Sequence, residues 1–254
     1  MGKTTTAINL GAFLARAGQR VLIVDIDPQA NATSCLGVDK HTVRGGSYEC
    51  LLDDAPASPF ILRNDSLNLS LLPSAPALAG AEVELVEAEE REYRLKRSLA
   101  PLLDRYDYIL VDCPPSLSLL TVNGLVAALH GVIIPVQCEY LALEGLGQLL
   151  ETLQRVRAGL FPRLFVRGVV LTMFDSRTHL ARDVVGEVRR YFPGQVFQTV
   201  IPRSIRLAEA PSYGVPISAY APGSYGAQAY EALAQEILNG DGVTQPTGAT
   251  ASGA

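Results

Sequence analysis

Short runs of aliphatic and β-branched residues recur along this chain. They are Arg20–Asp25, Leu67–Leu72, Tyr108–Val111, Gly131–Val136, Phe165–Leu171 and Gln195–Val200. Arg20–Asp25 is a short continuous run, as expected of a strand buried on both faces, and the others are similar. Helical patterns lie between most of them: Thr4–Ala17, Glu82–Leu103, Leu117–Leu129, Glu144–Ala158 and Thr178–Tyr191, with a last one at Tyr225–Leu238. Strands alternating with helices pair in parallel and need cover on both faces. The pattern therefore predicts an α/β, doubly wound fold: a mostly parallel sheet with helices on both sides. A chain of 254 residues, 48% hydrophobic, is long enough to bury one full core.

Two segments depart from this rhythm. Residues 39–59 are polar and carry Gly and Pro, with a short helical piece at Ser47–Leu52; they read as a surface excursion. Residues 239–254 have no periodicity and are expected to be a disordered tail, leaving 1–238 as the domain. No stretch is long and apolar enough to cross a bilayer, and no signal peptide is read at the N-terminus. Cys35, Cys50, Cys113 and Cys138 form no C-x-x-C pair, which argues against a zinc or iron–sulfur site and fits a reducing cytosol. The net charge of −5 excludes a uniformly basic surface but not a local basic face.

The chemistry-bearing residues sit at element ends. Gly2-Lys3-Thr4 opens the first helix and looks like the second half of a phosphate-binding loop. Unpaired N–H groups and the helix dipole attract phosphate oxygens there. Gly2 allows close approach, Lys3 would neutralise the β- and γ-phosphates, Thr4 would hold Mg²⁺, and Thr5 could reach the α-phosphate. By itself the tripeptide also fits a capped helix with a solvated lysine. Two strand ends add weight. The run Val21–Asp25 leads into Ile26-Asp27-Pro28-Gln29, and Tyr108–Val111 leads into Asp112-Cys113-Pro114. Carboxylates at the carboxyl ends of parallel strands lie where open α/β sheets bind ligands. The second has the Walker B arrangement, an apolar strand delivering one Asp near Mg²⁺.

In order and spacing, Gly2–Leu10, Asp25–Ser34, Asp112–Leu117 and Ile201–Ser212 resemble the ParA/Soj family of DNA-partitioning P-loop ATPases. The likeness covers nearly the whole chain apart from the tail. It implies an ATPase using ATP and Mg²⁺, with Lys3 and Thr4 as the P-loop lysine and magnesium threonine. Asp27 matches the switch aspartate that positions the attacking water, and Asp112 the Walker B aspartate. Pro202 matches a segment bordering the adenine. Arg177 and Arg206 match positions implicated in non-specific DNA binding, although either also reads as an ordinary solvated side chain. The implied partners are a second copy in an ATP-dependent homodimer, non-specific DNA, and a ParB-type centromere-binding protein. The implied location is cytoplasmic and nucleoid-associated.

One departure stands out. The family pattern is Lys-Gly-Gly-x-Gly-Lys-Thr after a central strand, whereas Met1 stands at the x. The fold is therefore expected to lack its first central strand as given, and the signature lysine, which in the family reaches the partner's nucleotide. Of 21 basic residues lysine supplies only Lys3, Lys40 and Lys96, an arginine bias fitting a GC-rich genome. There an internal GTG valine can be taken for a start, so the reading frame is expected to continue upstream. Degeneration of the ATPase is the rival, and would leave a non-hydrolysing ParA-like DNA-binding regulator. A further, less favoured alternative is a MinD-like membrane ATPase. Its amphipathic basic helix is not what Asn239–Pro246 would make, so no membrane partner is expected.

Overall fold

The helix that opens the chain forms as α1 (Lys3–Arg16). Gly2 precedes it with φ 91°, a left-handed conformation that costs glycine little. The computed structural model describes residues 2–139 and 142–243, and only the backbone of 142–144. From Ile8 to Ala15 every residue of α1 is buried, as its all-round apolar sequence requires. It leads into β1 (Val21–Asp25), buried along its whole length.

The chain continues through α2 (Asn31–Cys35), α3 (Ser47–Leu52), β2 (Leu62–Asn64), β3 (Leu69–Leu72), α4 (Leu78–Glu84), α5 (Arg94–Leu99), β4 (Tyr108–Asp112) and α6 (Leu119–Ala127). Then come β5 (Val132–Gln137), α7 (Ala142–Gly159), β6 (Val166–Phe174), α8 (His179–Tyr191) and β7 (Val196–Pro202). Two short helices, α9 (Ile205–Glu209) and α10 (Ile217–Tyr220), precede α11 (Tyr225–Gly240).

The strands form two sheets, in the orders β2-β3-β1-β4 and β5-β6-β7. All pairings among the described residues are parallel except that of β2 with β3. Helix α1 packs on β1, β3 and β4 of the first sheet and on β5 of the second. Its core also takes in Tyr230, Leu233 and Ile237 of α11. Separate apolar clusters lie between β5–β6 and helices α7 and α8, and between β1, β3 and helices α3 to α6. Residues 109–111 of β4 are apolar yet only half-buried, unlike the fully buried β1 beside them.

Three expectations change. The helix read over Glu82–Leu103 is two short helices parted by a loop in which Glu90 has φ 46°. Glu87, Glu89, Glu90 and Glu92 explain the break: in one helix they would stack like charges three residues apart. Instead Arg91 and Arg94 bind the carbonyls of Val86 and Glu89 and tie the loop down. Next, the excursion at 39–59 is only partly a surface one: Cys50, Leu51 and Ala57 are fully buried, while the stretches 39–45 and 53–56 run largely over the surface. Finally, the last helix continues to Gly240, two residues into the expected tail. Residues 244–254 of that tail, and Met1, lie outside the described residues.

Candidate functional site

The singled-out residues lie at α1's N-terminus, at the carboxyl ends of parallel strands, or in the segments that follow those ends. Pairing β1 with β4 sets Asp25 opposite Asp112, and the N–H of Ile26 donates to the Asp112 carbonyl at 3.0 Å. Two residues on, Asp27 is 5% exposed. Lys3 and Thr4 are in the first turn of α1, both half-buried, and both lower the pKa of Asp112 by their proximity. Thr5 is in the same turn, and its carbonyl accepts from the Asn9 side chain at 2.8 Å. A Cβ on Gly2 would meet the Thr172 hydroxyl of β6 at 3.3 Å, so the loop before α1 touches the second sheet. The structure thus brings Gly2, Lys3, Thr4, Thr5, Asp27 and Asp112 into one cluster.

Asp112 is the most perturbed carboxylate there. Burial pushes it up to about 7; Thr4 pulls it down, Asp25 and Asp27 raise it again, and Lys3 lowers it. Its Oδ2 is buried with no hydrogen-bond partner among the described residues. A buried carboxylate oxygen without a donor is costly unless a cation meets it. That orphaned oxygen beside a threonine hydroxyl is a donor set that fits Mg²⁺, a hard cation preferring oxygen ligands. Asp25 is also raised, to about 6, chiefly by burial, with hydrogen bonds from Thr33 opposing. Its case differs, because both of its oxygens are already engaged.

The remaining predicted residues lie along the second sheet. Pro202 ends β7, half-buried, paired in register with Phe174 at the end of β6. Arg177 follows β6 and Arg206 lies on α9, after β7. Both are exposed and already ion-paired, Arg177 with Asp175 at 2.7 Å and Arg206 with Glu209 at 2.9 Å. Glu209 also accepts from Tyr220, whose ring stacks on Tyr213 at 4.8 Å.

Sequence reasoning missed the polar residues that hold the site. Tyr230 of α11 hydrogen-bonds the Thr6 hydroxyl at 3.2 Å, and the Ile217 N–H donates to Asn9 at 2.7 Å. Each contact spans more than two hundred residues, so no local spacing reveals it. The Thr33 and Ser74 side chains were likewise invisible. The Asp-x-Asp spacing at 25 and 27 was the one available signal, since alternate residues at a strand end share a side.

A family model described as an AAA domain matches residues 1–166. The chain is 54% identical to the sporulation initiation inhibitor protein Soj of Bacillus subtilis, over 93% of each chain. It is 51% identical to the chromosome partitioning protein ParA of Myxococcus xanthus, over 97% of this chain and 87% of the relative. Among solved structures, cobyrinic acid a,c-diamide synthase from Mycobacterium smegmatis with bound ATP analog and magnesium matches with a TM-score of 0.82 and 40% identity, covering 98% and 94% of the two chains. An ATP complex of Cyanothece McdA, at 24% identity and a TM-score of 0.85 over 97% and 94%, shares the fold. A helix N-terminus bearing Lys3 and Thr4, facing strand-end carboxylates in a P-loop α/β fold, thus occurs in a chain half-identical to Soj and ParA over nearly its whole length: it belongs to the ParA/Soj family of chromosome-partitioning ATPases.

Proposed function

We propose that this chain is an ATP-driven switch for DNA partitioning. ATP binds at Gly2–Thr5, two copies join, and the joined form holds DNA without sequence preference through Arg177 and Arg206. A ParB-type partner then stimulates hydrolysis and release, in the cytoplasm at the nucleoid. The observation that carries this is the meeting of Lys3 and Thr4 with Asp112, whose Oδ2 has no partner among the described residues. Among those residues no helix is long and apolar enough to cross a membrane.

The chain's own groups divide the work. N–H groups at the start of α1 bind phosphate oxygens, helped by the helix dipole. Lys3 neutralises charge on the transferred phosphoryl group, and Thr4 and Asp112, the latter through water, would hold Mg²⁺. When bound, that ion neutralises the charge developing on the phosphates. Asp27 orients the attacking water for in-line displacement. Pro202 borders the base.

The same reading puts a further strand between β4 and β5. Its support is that the two sheets end on these strands, share helix α1, and leave the apolar residues 109–111 half-buried. An in-frame stop codon directly upstream of Met1 would refute it.

The decisive experiment measures ATP turnover and DNA retention together. The Asp27→Ala variant should bind ATP and retain DNA while losing turnover. Lys3→Ala should lose nucleotide binding itself. DNA binding that needs no ATP and ignores salt would overturn the switch. Recovery on anionic vesicles instead of DNA would point to a membrane ATPase.

A further inference from the structure

Asp25, Asp27, Thr33 and Ser74 are each at most 5% exposed and come from three places in the chain: the end of β1, helix α2, and the turn after β3. Their hydrogen bonds close into a ring. Asp25 Oδ1 accepts from the Asp27 N–H at 3.1 Å. Asp25 Oδ2 accepts from the Thr33 N–H at 2.8 Å and from its hydroxyl at 2.7 Å. With its proton committed to Asp25, the Thr33 oxygen accepts from the Ser74 N–H at 2.9 Å. The Ser74 hydroxyl then donates to the Asp27 carbonyl at 2.8 Å. Every proton in this circuit has one acceptor, so the directions are fixed.

The ring takes hold of Asp27 by its backbone, on both sides of its Cα. Its N–H goes to Asp25. Its carbonyl takes Ser74 and also the Ala30 N–H at 2.8 Å. Among the described residues the side chain is held on one oxygen, Oδ1, which accepts from the Gln29 N–H at 2.9 Å. Oδ2 therefore remains for another donor. Asp25, a carboxylate of the same type two residues away, has both of its oxygens engaged in the ring.

We propose that Thr33 and Ser74 are positioning residues for the switch carboxylate Asp27, acting through a closed hydrogen-bond ring whose buried anchor is Asp25. This rests on the reading of Asp27 as the residue that orients the attacking water. Asp25 is thereby a structural anion rather than a second metal ligand. Ser74 matters most, because it is the ring's contact from outside the β1–α2 segment. Its neighbour Pro73 accepts the N–H of Ser47 at 2.9 Å, so the start of α3 is tied to the same point.

The test uses the full-length protein with Ser74→Ala, Thr33→Val, Thr33→Ser and Asp27→Ala. Hydrogen–deuterium exchange is measured without nucleotide, and steady-state ATP hydrolysis separately. Ser74→Ala and Thr33→Val should speed exchange across residues 26–34 and leave α8 and α11 at wild-type rates. They should also lower kcat by about 10-fold or more, with KM little changed, since small misplacements of a reacting group are expensive. Thr33→Ser keeps the hydroxyl and should retain both properties. Wild-type exchange over 26–34 in Ser74→Ala would overturn the ring. Faster exchange everywhere, or KM rising with kcat constant, would reduce these residues to general stability or binding and also overturn it. If Asp27→Ala still hydrolyses ATP, the reading of Asp27 falls, and the turnover arm of the proposal with it. If Asp27→Ala is dead while Ser74→Ala and Thr33→Val turn over normally, the reading of Asp27 stands and the proposal fails alone.

Discussion

The hydroxyl of Tyr230 joins the last helix to the first, and removing it isolates one buried bond. Tyr230 is 1% exposed and Thr6 3%, so neither oxygen has water as a substitute partner. The O···O distance is 3.2 Å. A buried neutral hydrogen bond contributes roughly 1 kcal/mol net, while an orphaned partner costs about 1–3 kcal/mol. The two single variants should not be equal. After Tyr230→Phe, the Thr6 hydroxyl can turn back to a carbonyl of its own helix, so about 1 kcal/mol is expected. After Thr6→Val, the tyrosine hydroxyl has no such retreat, and about 2 kcal/mol is expected. The double variant replaces both partners by apolar groups of similar shape and should cost about 1 kcal/mol. The cycle should therefore show roughly 2 kcal/mol of coupling. Urea unfolding followed by circular dichroism reads each value, and thermal midpoints should fall by roughly 2–4 °C per kcal/mol at this chain length. Additivity within about 0.5 kcal/mol would refute the reasoning, as would a neutral Thr6→Val.

Further outcomes follow from the same geometry. A Cβ on Gly46 would sit 2.1 Å from the Pro73 carbonyl oxygen, so Gly46→Ala should destabilise by about 2 kcal/mol or more. Gly186, within α8 with open space around its Cα, should gain up to about 1 kcal/mol as Ala; urea midpoints of opposite sign check the pair. Burial raises Asp112 to about 7 and Asp25 to about 6 from 3.8. Between about pH 4 and 7 the folded chain thus keeps protons that the unfolded chain has released. Without Mg²⁺ or nucleotide, its stability should fall as pH rises through that window and level off above it. Asp112→Asn should flatten the slope, and unfolding midpoints from about pH 4 to 8 test this. Arg177→Ala and Arg206→Ala should each weaken DNA binding and reduce the slope of log affinity against log salt by about one. An unchanged slope would leave both arginines as partners of Asp175 and Glu209 alone.

How far each residue was legible depends on the range of the force that places it. Lys3 and Thr4 could be read because a buried helix that opens with Gly-Lys-Thr exposes its N–H groups at one known place. Asp112 could be read because a continuous apolar strand must end at the sheet's carboxyl edge, and Asp is its last residue. The surface excursion was misread because its polar residues dominate the local average. Its buried members, Cys50 and Leu51, find their partners in distant helices. The helix over 82–103 was misread for the opposite reason: helix-forming residues are plentiful there, but four glutamates repel and two arginines find loop carbonyls. Strand β2 is three residues long and antiparallel, too short for any periodicity to show.

The sequence by itself determined the layered α/β architecture, the helix that presents Lys3 and Thr4, and the strand ends that carry Asp27 and Asp112. These follow from periodicity and from where polar residues interrupt it, both local properties. Tertiary structure alone decided which polar groups hold the site in shape. Thr33 meets Ser74 across 41 residues and Thr6 meets Tyr230 across 224. Such pairs arise only when packing strips water from each member and brings the other within reach. That choice is made by burial, which a linear sequence does not display.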